Sequence, residues 1–343
     1  VEPVEALERI AFLLERQGAV TYRVQAFRTA AAVIGELSGE EVRRRALNGS
    51  LARVKGLGPK TSGVVEEALA GRVPGYLARL TAEAGGPLVD GERGQRLRRA
   101  LRGDCHLHSN WSDGGSPVEA MARAARDLGH RWCVLTDHSP RLTIAHGLTA
   151  DRLREQLTLV AAVNEQLAPF RLLTGIECDI LDDGRLDQEP ELLAELDMVV
   201  ASVHSKLRMD AAAMTRRLVA AVGNPLVDVL GHCTGRQLTG TLRPPSQFDA
   251  GLVFAACAAY DTAVEINCRP DRLDPPRPLL RQALDAGTLF AIDSDAHAPG
   301  QLDWQIYGCA RAEECGVPAD RIINTWTARQ VTAWTGTGST PGR

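Results

Sequence analysis

Within the stretch "DCHLHSNWSDGGS", His106, His108, Asp104 and Asp113 fall inside ten residues. Imidazole and carboxylate are the side chains that take divalent transition ions, whereas an all-oxygen set would suit magnesium. The same residue types recur later in the chain. His138 closes "LTDHS", Glu177 stands in "GIECDI", His204 closes "VASVHS", His232 stands in "LGHC", and Asp295 and His297 close "IDSDAH". The chemistry such a set offers, if it meets, is metal-assisted hydrolysis. Three carboxylates and six imidazoles, Asp113, Glu177 and Asp295 among the former, are therefore the candidate metal ligands.

Something must bring them together. Beyond residue 100, short apolar runs alternate with amphipathic ones. The β-like runs are "GDCHLHS", "RWCVLTDHS", "RLLTGIECDI", "LDMVVASVHS", "LVDVLGHC", "AVEINC" and "LFAIDSDAH". Between them lie helical patterns such as "SPVEAMARAARDLG" and "TADRLREQLTLVAAVNEQL". Strand followed by helix, repeated about seven times, predicts parallel strands in an α/β fold, closed into a distorted (β/α)7 TIM-like barrel. Six of the eight histidines then stand at or next to the carboxyl ends of strands, the rim where functional groups of such barrels converge. His130 and His146 fall elsewhere and read as structural.

The first hundred residues have a different character. Residues 1–103 carry 17 Lys and Arg against 12 Asp and Glu, within a chain of net charge −4, so a basic front precedes an acidic rear. Helical patterns run through "EALERIAFLLERQ", "YRVQAFRTAAAVIGEL", "GEEVRRRALNGS" and "TSGVVEEALAG", predicting a small all-α module over 1–83. Residues 84–101 read as a linker and basic helix, 102–334 as the barrel, and 335–343 as a disordered tail. In "VKGLGPKTSG", Gly56 and Gly58 allow a tight turn and Pro59 starts the next helix. The N–H groups at that start, with Lys55 and Lys60, can hold a backbone phosphate. The eight cysteines show no paired spacing and sit mostly in apolar runs, which predicts small buried hydrophobes in a reducing compartment. With no apolar run of about 18 residues, a soluble, cytoplasmic protein is expected, with no membrane partner.

"TYRVQAFRTAAAVI" with the "GLGPK" turn resembles the amino-terminal helix-hairpin-helix domain of family X DNA polymerases. That implies a grip on the DNA backbone without sequence reading, through Lys55, Gly56, Gly58 and Lys60. The lysine that gives relatives lyase activity falls at Val64, which cannot form a Schiff base, so that activity is not expected here. From about Arg102 to Trp334 the chain resembles a PHP (polymerase and histidinol phosphatase) domain, especially the one in bacterial family X polymerases. "DCHLHSNWSDG", "LTDHS", "GIECDI", "VASVHS", "GHCTGR", "EINCRPDRLD" and "IDSDAH" carry the resemblance in order. It implies three divalent ions, Mn2+ or Zn2+ with Fe2+ also admissible. His106, His108, Glu177 and Asp295 would hold the first, Glu177, His204 and His232 the second, and Asp113, His138 and His297 the third. Asp104 and Asp137, next to ligand histidines, are expected to orient imidazoles from behind.

The chemistry implied is in-line hydrolysis of a phosphoester by a metal-bridging hydroxide, held by Glu177 and the cluster. Lys206, Arg208, Arg236 and Arg269 follow strand ends and are candidate phosphate contacts. Trp111 could stack on a base or pack on the rim. No paired-aspartate polymerase site lies between the modules. The expected function is a metal-dependent phosphoesterase of DNA ends: a 3′→5′ exonuclease, a 3′-phosphatase or an abasic-site endonuclease. A phosphatase of small phosphomonoesters, resembling histidinol-phosphate phosphatases, is the alternative, and a non-catalytic DNA-binding scaffold is a third.

Overall fold

The computed structural model describes residues 1–336 and divides into two units, Val1–Pro87 with Pro299–Gln301, and Leu88–Ala298 with the chain from Leu302 onward. The first unit is helical: α1 (Pro3–Arg16), α2 (Thr21–Glu36), α3 (Gly39–Leu47), α4 (Pro59–Leu69) and α5 (Gly75–Ala84). Leu7, Ile10 and Leu14 recur on one face of α1, and Phe27, Ala30 and Ile34 on one face of α2; all six are buried in a common core. The fifth helix is absent from the sequence-based expectation. Its glycine start and Gly85-Gly86 end give a weak local signal, but it buries Leu77, Leu80 and Ala84 in that core.

In the second unit, seven parallel strands pair in chain order: β1 (Gly103–Leu107), β2 (Trp132–Leu135), β3 (Arg171–Asp179), β4 (Met198–Ser202), β5 (Val229–Leu230), β6 (Ala263–Asn267) and β7 (Phe290–Asp293). The ring closes from β7 to β1 through a parallel bridge between Leu107 and Ala296, where the His108 N–H donates to the Ala296 carbonyl at 2.8 Å. Around the strands lie α6 (Gln95–Ala100), α7 (Val118–Asp127), α8 (Ala150–Leu167), α9 (Pro190–Leu193), α10 (Ala211–Val222), α11 (Ala250–Ala259), α12 (Arg277–Ala286), α13 (Gln305–Cys315) and α14 (Ala328–Gly336). The architecture is the nearly closed seven-stranded barrel that the alternation predicts, preceded along the chain by an all-helical unit.

Period-two alternation decides what each strand offers inside and outside. Val134, Leu173, Met198, Val200, Val229, Ala263 and Ala291 form one apolar cluster with Cys105 and Trp132. Leu230, Val264, Ile266, Phe290 and Ile292 belong to another, shared with α10 to α13. Strands covered on both faces read as continuous apolar runs, so a polar residue among them stands out.

Two stretches depart from expectation. From Leu88 on, the supposed linker packs with the barrel: Leu97 and Leu101 are buried in its core, and the Gly94 N–H donates to Glu313 at 2.6 Å. Thr335 and Gly336, assigned to a disordered tail, complete α14; the rest of that tail lies outside the described residues. All eight cysteines are buried and unpaired with one another. Among the described residues no helix is long and apolar enough to cross a membrane.

Candidate metal centre

His106 lies in β1, where two residues, Cys105 and His106, oppose one of β2 between Asp104 and Leu107, a bulge of the kind that re-aims side chains beside functional sites. His108 follows β1. His138 follows β2, and its backbone bridges to Glu177 inside β3. His204 follows β4, His232 follows β5, and Asp295 and His297 follow β7. Asp113 comes from the loop after His108.

Glu177, about 1% exposed, is the hub. Its Oε1 lies 2.8 Å from His232 Nε2 and 3.2 Å from His204 Nε2. Its Oε2 lies 2.9 Å from His138 Nδ1, 3.3 Å from His106 Nε2 and 3.5 Å from His108 Nε2. Asp295 Oδ1 lies 3.4 Å from His108 Nε2, and Asp113 Oδ1 lies 3.3 Å from His297 Nε2 and 3.5 Å from His138 Nε2. All nine sequence-predicted side chains thus meet at one end of the barrel.

Three compact groupings of donor atoms emerge: His106 with His108 and Asp295; His138 with Glu177 and His204; and His108 with Asp113, His138 and His297. They overlap the three ligand sets inferred from sequence without coinciding. His108 and His138 each serve two groupings, and His232 joins the ensemble through Glu177.

The residues fit divalent ions on a direct count of unmet bonds. His106 Nε2, both ring nitrogens of His108, His138 Nδ1 and His232 Nδ1 are buried and make no aligned hydrogen bond, although carboxylate oxygens lie close to several of them. A buried polar atom left bare costs roughly 1–3 kcal/mol, and several converging on one point call for a ligand. Charge agrees. Burial alone would raise the Glu177 carboxyl, but His106, His138 and His204 outweigh it and hold the group well below the usual carboxylate range. Burial and the neighbouring His297 and His138 push His108 down to about 3, which keeps it a neutral donor.

The residues expected to orient imidazoles do something else. Asp104 accepts from the His106 N–H at 3.2 Å and from the Ser294 hydroxyl, tying β1 to β7. Asp137 accepts from the Ser109 N–H at 2.8 Å, the Ser109 hydroxyl at 2.6 Å and Gln156 Nε2 at 2.6 Å, which fixes the loop after β1. Neither carboxylate reaches a ring nitrogen, because each spends its oxygens on main chain, hydroxyls and an amide. Outside the nine candidate ligands, the carboxylates that do reach one are Glu265, 2.6 Å from His106 Nδ1, and Asp179, 3.2 Å from His204 Nδ1. Sequence reading missed both. Glu265 sits inside the apolar run "AVEIN", where an acidic residue at an inward position was the available signal.

Of the basic candidates, Arg269 alone reaches the cluster: its Nη1 lies 3.0 Å from His297 Nδ1 and its Nε 3.1 Å from Asp271. Arg236 turns away, donating from Nε to the Arg272 carbonyl at 2.8 Å and from Nη2 to the Leu273 carbonyl, so it braces a loop. Lys206 is exposed and paired with Asp182, and Arg208 is exposed. Arg272, not anticipated, brings its Nε to 3.6 Å from Asp295 Oδ2. Trp111 packs on the cores beneath the rim with the Arg152 guanidinium 5.9 Å from its ring centre.

In the helical unit, Gly56 takes φ +93°, and a Cβ there would sit 3.0 Å from both Thr29 and Val33. Gly58 caps α4, its N–H donating to Thr61 Oγ1 at 2.9 Å. Lys55 and Lys60 are exposed beside this turn, with Lys60 Nζ 4.9 Å from the centre of the Tyr76 ring. A cleft of about 320 Å³ is lined by Arg23, Phe27, Gly56, Gly58 and Lys60 among others.

Residues 1–73 match the model of a helix-hairpin-helix domain, and residues 104–236 that of the PHP domain. The DNA polymerase/3′-5′ exonuclease PolX of Bacillus subtilis is 36% identical over 234 residues, which are 68% of this chain and 41% of that protein, so the chain spans about two-fifths of that relative. A probable phosphatase of Thermoanaerobacter sp. (strain X514) is 26% identical over 65% of this chain and 89% of its own length. Among solved structures, histidinol phosphate phosphatase from Lactococcus lactis, complexed with zinc, L-histidinol and phosphate, is similar at 18% identity and TM-score 0.44, over 63% of this chain and 94% of that one. The chain carries a helix-hairpin-helix domain followed by a PHP domain.

Proposed function

We propose that this protein hydrolyses phosphoesters at DNA ends, its barrel being a metal-dependent phosphoesterase and its helical domain the grip on the DNA backbone. The observation that carries this is the union on one chain of a carboxylate–imidazole cluster with bare ring nitrogens and a helix-hairpin-helix domain. The similarity to a protein named as both polymerase and 3′-5′ exonuclease supports the choice of DNA.

His106, His108, Asp113, His138, Glu177, His204, His232, Asp295 and His297 would hold the ions. When bound, such ions polarise a phosphoryl oxygen and lower the pKa of water enough to supply a nucleophile near neutral pH. The chain's own part is placement. Glu177 faces imidazoles from four strand ends and a fifth in β1, so one carboxylate sets their spacing. Arg269, fixed by Asp271 beside His297, presents a guanidinium where a phosphate oxygen would arrive. Lys55, Lys60 and the N–H groups at the start of α4 would bind backbone phosphate.

A second reading, a phosphatase of small phosphomonoesters, draws on the probable phosphatases matched over about nine-tenths of their length. Incubation with Mn2+ and 5′-labelled duplexes ending in 3′-OH or 3′-phosphate separates the two. The DNA reading expects shortened strands or loss of the 3′-phosphate, abolished by His204→Ala. Untouched DNA ends, under conditions where a small phosphomonoester is cleaved, would replace it with the second reading.

A further inference from the structure

Six strands of the barrel deliver candidate metal ligands at or next to their carboxyl ends; β6 delivers none. Alternation in "AVEIN" turns Ala263, Glu265 and Asn267 inward while Val264 and Ile266 join the outer core. Glu265 and Asn267 are both fully buried. An ionisable side chain in that position is unfavourable unless its oxygens are used.

They are used on three neighbours. Glu265 Oε1 lies 2.6 Å from His106 Nδ1 on β1. Its Oε2 accepts the backbone N–H of His232, the residue that follows β5 and Gly231. Asn267 donates from Nδ2 to Glu265 Oε2 at 3.2 Å and to Asp295 Oδ2 at 3.0 Å. The amide's orientation is fixed from its other side, since Asn267 Oδ1 accepts the Arg269 N–H at 3.1 Å. Asp295 itself sits at φ +50°, a conformation that needs holding from outside. One side-chain pair on β6 thus reaches residues from β1, β5 and the loop after β7.

We infer that Glu265 and Asn267 are the positioning residues of the metal centre, an inference that rests on reading the cluster as one. Glu265 takes the Nδ1–H of His106 and so reserves Nε2, which is buried and makes no aligned hydrogen bond, for the ion. The same carboxylate fixes the backbone that presents His232. Asn267 keeps one oxygen of Asp295 occupied and leaves the other, Oδ1, facing His108. Such outer partners typically set metal affinity by about 10–100-fold.

The test measures Zn2+ affinity of the full chain by competition with a chromophoric chelator, for wild type, Glu265→Gln and Asn267→Ala. Circular dichroism of each metal-free variant reports the fold. Both variants are expected to bind Zn2+ about 10–100-fold more weakly while keeping the metal-free fold. Long-range 1H–15N imidazole spectra of Zn2+-loaded wild type provide a readout that needs no variant to fold. His106 is expected to carry its proton on Nδ1 with Nε2 bound to zinc. Zinc on Nδ1, or variants that bind as tightly as wild type, would overturn the inference. Failure of wild type itself to bind zinc would instead overturn the reading of the cluster on which it rests.

Discussion

His130 lies outside the cluster, and its surroundings make a separate prediction. It is buried, and burial together with the positive charge of Arg98 pushes its pKa down to about 3. The folded chain therefore holds it neutral, while the unfolded chain protonates it near 6.5. The unfolded state binds the extra proton between those values, so stability is complete above about 6.5 and falls as pH drops toward 3. Thermal melts of wild type and His130→Gln from pH 7.5 to pH 5 should show the wild type losing more of its melting temperature. Parallel curves would contradict this. At the residue scale, the candidate ligands were legible because histidine and carboxylate at strand ends is a rare arrangement. The support behind them was less so. Asp104 lies two residues before His106 and Asp137 directly before His138, but their oxygens are used on main chain, hydroxyls and an amide, and the rings are met from behind by Glu265 and Asp179 from other strands. Arg236 and Arg269 look alike in sequence, and only the loop geometry separates a brace from a group beside the site.

The short strand β5 shows how an element places a ligand. It spans Val229–Leu230, and Gly231 then passes so close to β4 that a Cβ would sit 2.2 Å from Ser202 Oγ and 3.0 Å from Val200 Cγ1. The next residue is His232, 2.8 Å from Glu177. Gly231→Ala must displace the Ser202 side chain and crowd Val200, at about 1–3 kcal/mol of stability. It should also reduce Zn2+ affinity by displacing His232. A variant with unchanged affinity and melting temperature would show that the close approach places nothing. All seven strands were readable from apolar runs ending in polar groups. Elements without that contrast were harder. The helix α5 has glycines at both ends, whereas the basic helix α6 was legible and only its packing was not, Leu97 and Leu101 being buried in the barrel core.

At the scale of the whole molecule, chain order turns scattered residues into one site. Residues from His106 to His297 meet only because parallel strands return to the same end of one ring. The opposed charges of the two halves of the sequence foretold two modules, and the helical unit and the barrel have separate cores. The account stands on the barrel rim holding divalent ions. Anomalous X-ray scattering at the zinc edge, from crystals of the Zn2+-loaded full chain, tests that most directly. The account predicts peaks among Glu177, the six cluster histidines, Asp113 and Asp295, one beside each of the three donor groupings. Density for folded protein with no anomalous peak among those side chains would contradict it.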